Sequence, residues 1–124
     1  RLEQFVAHRH TLADRYDAAL ADLPLTTPRR HPNSYSAFHL YVVTLDDPTV
    51  HRATFEALRS KGIGVNLHYV PVHLQPYYRN MGFSPGDFPL SEAYYSRAIS
   101  IPLFATMTEA QQEKVIGTLE RVLE

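Results

Sequence analysis

The stretch GVNLHYVPVHLQPYYRNMGF, residues 64–83, contains two histidines, three tyrosines and an arginine, but no carboxylate. Asp and Glu are absent from all of residues 57–86, although the chain has 13 of them. Without acids to repel it, an anion such as a phosphate can approach this segment. Tyrosine rings offer apolar faces with a polar tip, which suit stacking on a base or sugar. The stretch therefore indicates either a ligand-binding segment or a core whose Tyr and His side chains bond internally.

On either side of this stretch, the sequence predicts an alternation of helices and strands. Apolar residues recur at three- and four-residue steps in the helical segments, whereas β-branched and aromatic residues dominate the strands. The predicted elements are, in chain order, helix 1–23, strand 35–45, helix 48–61, strand 63–70, helix 74–81, a short helix from Ser91, an extended segment 100–104 and a last helix opened by Thr108. Apolar residues on both faces of 35–45 predict a strand that is covered on both sides. The order predicts an α+β sandwich with helices packed on a short sheet.

Residues that start or stop helices support several of these boundaries. Pro24 ends the first helix, because proline interrupts the helical hydrogen bonds. Asp47 caps the helix that begins at Pro48. Thr108 and Gln111 have the spacing of a capping box. These local signals place helix ends that periodicity alone leaves open.

The composition argues against several classes of partner, covalent cross-link and metal site. The formal net charge of −1 provides no general attraction to nucleic acid or anionic membrane, so neither is expected as a partner. The chain has no cysteine, which excludes disulfides and thiolate metal sites. No apolar run approaches the roughly 20 residues that a membrane span needs. His68 and His73 have no third ligand nearby in the sequence, so a metal site is not expected.

The chain shows no catalytic centre of its own. It lacks a glycine-rich phosphate loop and a nucleophile elbow. Only Lys61 and Lys114 could form a Schiff base. Lys61 ends a predicted helix, Lys114 lies on an exposed helical face, and neither has the apolar surroundings that would lower its pKa. The chain also begins in mid-helix without an initiating methionine, so we expect it to be part of a longer protein.

Several motifs, in their order and spacing, resemble the C-terminal region of the DegT/StrS sugar aminotransferases. They are GIGVNLHYVPVHLQPYY (62–78), GDFP (86–89) and ISIPLF followed by MTEAQQ (99–112), preceded by SAFHLYVV (36–43). The resemblance covers essentially the whole chain. Within the family, the sequences of these motifs are most similar to those of the transaminases of pseudaminic acid biosynthesis, which make UDP-4-amino-4,6-dideoxy-N-acetyl-β-L-altrosamine.

This resemblance implies the small C-terminal domain, residues 1–124, of a fold-type-I pyridoxal-phosphate enzyme, with a short, mainly antiparallel sheet packed by helices. It implies a cytoplasmic homodimer that moves an amino group, typically from glutamate, to a nucleotide-linked 4-keto-6-deoxy sugar. The lysine that holds the cofactor and the main phosphate-binding groups would then lie in a missing N-terminal domain, and the chain would be inactive alone. Residues 1–23 would present an apolar stripe to that domain.

The resemblance also implies roles for individual residues. His68 is expected to contact the substrate, at sugar or diphosphate oxygens. Tyr69, His73 and Tyr78 are expected to shape the pocket or stack on the ligand, with Asn66 as a polar neighbour. The competing interpretation is that these rings bond within the protein.

Two other functions stay open at this stage. The first is a non-catalytic module that binds a nucleotide sugar or a protein. The second is a related dehydratase that uses pyridoxal or pyridoxamine phosphate, in which histidine replaces the cofactor lysine. The residue that separates these functions lies upstream of Arg1.

Overall fold

Five α-helices and one three-stranded sheet make up the fold in the computed structural model, which describes residues 1–124. In chain order the elements are α1 (Leu2–Ala19), β1 (Leu25–Thr26), β2 (Tyr41–Leu45), α2 (His51–Ser60), α3 (Pro76–Asn80), α4 (Pro89–Tyr95), β3 (Ala98–Ile101) and α5 (Glu109–Leu123). Short 3₁₀ turns, Pro48–Val50 and Val72–Leu74, precede α2 and α3. The predicted α+β class, with helices on a short sheet, is confirmed.

The sheet is antiparallel throughout, in the order β1-β2-β3. Tyr41 of β2 lies opposite Ile101 of β3, and Val43 lies opposite Ile99. Because directly opposed residues share a face of the sheet, these four side chains form one apolar surface. All four residues of β3 are buried. β3 is therefore a fully enclosed strand near the centre of the domain.

Three helices cover the apolar face of the sheet. The core is one cluster of 19 buried residues, to which α1, α2 and α5 all contribute. Tyr16 of α1 is fully buried and donates its hydroxyl proton to the Pro102 carbonyl oxygen at 2.7 Å. Burial raises the pKa of Tyr16 far above its ordinary value, so the hydroxyl stays neutral and donates. This bond ties α1 to the end of β3.

The predicted strands are longer than the strands in the structure. β2 covers only 41–45 of the predicted 35–45, because Phe38 adopts a positive φ of 45° that interrupts extended backbone. The two faces of β2 are also covered unequally. Tyr41 on one face is fully buried, whereas Val42 on the other face is only half-buried. The predicted strand 63–70 is wrong. Within it only Asn66 pairs with the sheet, through a single bridge to Ser100.

Other boundaries move by a few residues. α1 ends at Ala19 rather than at residue 23, and the turn that follows leads into β1, which the sequence did not predict. The predicted helix 74–81 is a 3₁₀ turn followed by α3, which has Pro76 at its start. α4 begins at Pro89, two residues before Ser91. The extended segment predicted at 100–104 is the strand 98–101, which ends before Pro102 because proline has no N–H for the ladder.

The predicted helix caps are confirmed. Asp47 accepts a hydrogen bond from the Thr49 N–H at the turn that leads into α2. Thr108 and Gln111 form a complete capping box on α5. Each bond satisfies a backbone N–H that the first helical turn leaves free. None of the five α-helices combines the length and the apolar character that a membrane-spanning helix requires.

The capping box allows a test of stability. We expect Thr108→Ala to lower the free energy of unfolding by about 1 kcal/mol, because the Gln111 N–H loses its acceptor. Denaturant unfolding followed by circular dichroism measures this. Thr106→Ala, an exposed threonine in the same loop, is the matched control. Equal losses for the two variants would show that the box does not stabilise α5.

Candidate functional site

The segment after α2 is held against the edge of the sheet at Asn66. The Asn66 N–H donates to the Ser100 carbonyl oxygen at 3.2 Å, and the Ser100 N–H donates to the Asn66 carbonyl oxygen at 2.9 Å. This pair of bonds is the only β-bridge that the segment makes. It places the residues that follow, His68 and Tyr69, beside β3.

His68 is anchored by the side chain of Ser100. His68 Nδ1 and Ser100 Oγ share a hydrogen bond of 2.7 Å, and Ser100 is buried. The imidazole is half-buried, and the ring of Tyr69 packs against it edge-on at 4.7 Å. Nδ1 is occupied, whichever tautomer is present, so Nε2 is the ring atom left for a ligand. Tyr69 is 75% exposed, so its ring can reach beyond the domain surface.

His73 is held in a different way, by a carboxylate. The residue is only 6% exposed, and its Nε2–H donates to Glu92 Oε1 of α4 at 2.7 Å. The pKa of Glu92 lies below its ordinary value, first because His73 donates to the carboxylate and then because the Gly86 N–H does. An ionised carboxylate only accepts hydrogen bonds, so the hydrogen atom in this bond belongs to His73.

The same carboxylate holds the loop between α3 and α4. The Gly86 N–H lies 2.8 Å from Glu92 Oε1 and 3.0 Å from Oε2. Gly86 has a φ of 95°, which other residues rarely adopt, and the Ser84 N–H donates to Asp87 Oδ2 to close the turn. Glu92 therefore joins His73, the loop and α4 in one unit.

This unit borders an aromatic cavity of about 320 Å³. Its lining residues come from the segment after Pro71, from α3, from the loop and from α4: Val72, His73, Tyr78, Phe83, Phe88 and Ser91. Phe88 meets the His73 ring edge-on at 4.8 Å, and Phe83 lies 6.3 Å from the Tyr78 ring centre. No Lys, Arg, Asp or Glu lines the cavity. It is suited to a flat, uncharged group.

The five predicted site residues thus form two groups. Asn66, His68 and Tyr69 gather around Ser100, whereas His73 and Tyr78 line the aromatic cavity. The acid-free sequence of 57–86 does not give an acid-free surface, because Glu92 folds back onto His73. The expectation of free anion access is therefore wrong at that histidine.

Residue-by-residue reasoning missed the partners that hold both histidines. Ser100 lies 32 residues from His68, and Glu92 lies 19 residues from His73. Ser100 lies in the motif ISIPLF, and Glu92 lies in the short helix predicted from Ser91, but neither pattern indicated that the residue would bond to a histidine. The structure contains no group of three or more His, Cys, Asp or Glu residues that could hold a metal ion.

The lysines of the chain do not form a site for pyridoxal phosphate. Lys61 is the exposed C-terminal cap of α2. Lys114 is exposed and borders a cavity of about 460 Å³ that contains no Asp or Glu to pair with a pyridine nitrogen. The residues of this chain therefore do not fit that cofactor by themselves.

Comparison with known proteins supports the motif-based resemblance. Residues 1–120 match the sequence profile of the DegT/DnrJ/EryC1/StrS aminotransferase family. The chain is 33% identical to the spore coat polysaccharide biosynthesis protein SpsC of Bacillus subtilis (strain 168), in an alignment 129 positions long. That alignment covers 99% of this chain and 33% of SpsC. The chain thus spans about a third of the length of the curated relatives that it matches.

Solved structures show the same relationship. Spr1654 from Streptococcus pneumoniae, described as a sugar aminotransferase, matches in its apo form with a TM-score of 0.91 and 25% identity, over 98% of this chain and 31% of that one. Its PLP form matches with a TM-score of 0.85. PseC from Helicobacter pylori, an aminotransferase involved in the biosynthesis of pseudoaminic acid, has a TM-score of 0.85 over 95% of this chain and 32% of its own, at 22% identity. The PseC likeness shows the fold alone.

The Glu92 carboxylate predicts how stability depends on pH. Because its pKa is lower in the folded chain than its ordinary value of 4.5, the contribution of Glu92 is complete above that pH and is lost as the pH falls through the lowered pKa. Glu92→Gln removes this contribution. We expect a shallower acid decline in the free energy of unfolding for the variant, measured by denaturant unfolding at a series of pH values. Glu120→Gln on α5 is the matched control, and identical acid slopes for wild type and Glu92→Gln would contradict the assignment.

Proposed function

The chain belongs to the DegT/DnrJ/EryC1/StrS aminotransferase family, and we propose that residues 1–124 are the C-terminal small domain of a pyridoxal-phosphate-dependent sugar aminotransferase. The whole enzyme transfers an amino group from an amino-acid donor such as glutamate to the ketone of a nucleotide-linked 4-keto-6-deoxy sugar. Its product enters pseudaminic acid or related surface-glycan synthesis. The observation that carries this proposal is the family match over nearly the entire chain.

The surface of the domain supports the idea that other parts of a protein cover it. Leu2 at the start of α1 is 76% exposed, and Leu90 at the start of α4 is 87% exposed. Phe5 and Met81 are exposed as well. Exposed apolar side chains are ordinary one at a time, but a set spread over α1 and the α3–α4 region suits a surface that meets another domain.

In this proposal, the residues around Ser100 contact the sugar nucleotide. Ser100 fixes the imidazole of His68 through Nδ1, which leaves Nε2 directed to ligand oxygens on the sugar or diphosphate. Asn66 is an exposed polar neighbour, and Tyr69 extends an exposed ring beside the imidazole. The rings of His73 and Tyr78 shape the adjoining part of the site.

Pyridoxal phosphate, when bound, would supply the electron sink for amino transfer. Since neither Lys61 nor Lys114 fits it, we place the cofactor lysine outside residues 1–124. The contribution of this chain is to bind and orient the substrate. A cytoplasmic homodimer is part of the same proposal, and the family resemblance is its support.

The decisive experiment uses the natural gene product that contains residues 1–124. We expect visible absorption from bound pyridoxal phosphate and, after borohydride reduction and peptide mapping, a pyridoxyl-labelled lysine upstream of Arg1. A product that takes up neither chromophore nor label, even with added cofactor, overturns the proposal and favours a non-catalytic binding module. Cofactor uptake with histidine in place of the labelled lysine overturns it in favour of a dehydratase.

The role of His68 has its own test in that protein. We expect His68→Ala to weaken sugar-nucleotide binding about tenfold or more, because one hydrogen bond to a charged or polar ligand oxygen is lost. Cofactor absorption should stay unchanged. Titration calorimetry with the sugar nucleotide measures the affinity, and His31→Ala, in an exposed loop, is the matched control. Unchanged substrate affinity would assign His68 to a structural role beside Ser100.

A further inference from the structure

His73, which lines the aromatic cavity, has one ring nitrogen without a partner. The Nε2–H of His73 is used by Glu92, and no group of the chain bonds to Nδ1. The only fully enclosed side-chain nitrogen or oxygen without a partner in the structure is Gln112 Oε1. His73 Nδ1 is therefore not fully enclosed, and His73 lines the cavity although the residue is only 6% exposed.

Glu92 determines what Nδ1 can do. Because the carboxylate only accepts, His73 carries its hydrogen on Nε2. In the neutral imidazole the other nitrogen then has a lone pair and accepts. The Gly86 N–H, bonded to both carboxylate oxygens, keeps Glu92 in place. In its neutral form His73 thus carries one fixed acceptor beside a cavity whose lining is otherwise mostly apolar.

The rest of the lining restricts the chemistry of the ligand. Tyr78, Phe83 and Phe88 provide flat apolar surfaces, which favour stacking with a planar ring. The absence of Lys and Arg makes the cavity unsuitable for a phosphate. Its volume of about 320 Å³ lies at the small end of the range for ligand pockets. A planar, uncharged ring with an N–H donor meets all three conditions.

We propose that this cavity binds the pyrimidine base of the nucleotide, with the imide N3–H of a uracil-type ring donating to His73 Nδ1 between the aromatic side chains. The proposal rests on the proposed function for the nucleotide nature of the ligand. It divides the site, since the base occupies the aromatic cavity and the charged part of the nucleotide lies outside it. Glu92 is then a positioning residue that acts through His73.

The test compares two ligands that differ only at the donor. The 124-residue chain is titrated with uridine and with N3-methyluridine, which has the same ring system but no N3–H. We expect uridine to bind at least fivefold more tightly, because the methylated base leaves Nδ1 without a partner. In ¹⁵N spectra of the histidines, uridine should shift the Nδ1 resonance of His73, and N3-methyluridine should not.

Variants separate the acceptor from the shape of the cavity. His73→Phe keeps an aromatic ring and removes the acceptor, so its preference for uridine should disappear. His31→Phe, in the exposed loop, should keep it. The ¹⁵N measurement on the unmodified chain decides the question if His73→Phe does not fold. Equal affinities for the two nucleosides, no binding of either, or an unshifted Nδ1 resonance would overturn the proposal and leave the cavity to an apolar side chain of another domain.

These outcomes are distinct from failure of the proposed function. A pyridoxyl-labelled lysine together with equal nucleoside affinities would retain the aminotransferase and overturn only the base site. Discrimination between the nucleosides without any cofactor uptake would retain the base site and overturn the aminotransferase.

Discussion

The enclosure of β3 between two backbone partners is the constraint on which the rest of the domain depends. All four of its residues are buried, so their backbone groups need partners within the protein. β2 provides partners on one side, and Asn66 provides them at Ser100 on the other. A single bridge thus joins the segment after α2 to the sheet. The position of the candidate site follows from that bridge, because the Ser100 side chain also holds His68.

The two histidines of the opening stretch are prepared for different chemistry by their partners. A serine hydroxyl can donate or accept, so it anchors the His68 ring without selecting its tautomer. An ionised carboxylate only accepts, so Glu92 places the hydrogen of His73 on Nε2. The bond to Ser100 leaves Nε2 of His68 free, and the bond to Glu92 holds His73 at the wall of the aromatic cavity. Such a division suits a ligand with a charged part and a flat uncharged part.

The size of the chain relative to its relatives supports the proposal that the cofactor lysine lies outside residues 1–124. The chain spans about a third of SpsC, and its lysines lie on the surface. A cluster of 19 buried residues nevertheless gives it a core of its own. An independent core with exposed apolar residues near α3 and α4 suits the proposed role of a domain that packs against another part of the enzyme.

The sequence by itself determined the elements whose signals are local, and the family. The Asp47 cap and the Thr108–Gln111 capping box each depend on residues within a few positions of one another, so both could be predicted. Only the tertiary structure decided that residues 63–70 make one bridge rather than a strand, and that Glu92 supplies the carboxylate missing from residues 57–86. Strand pairing and side-chain bonds between residues 19 or 32 positions apart depend on the path of the whole chain, which local periodicity and composition do not encode.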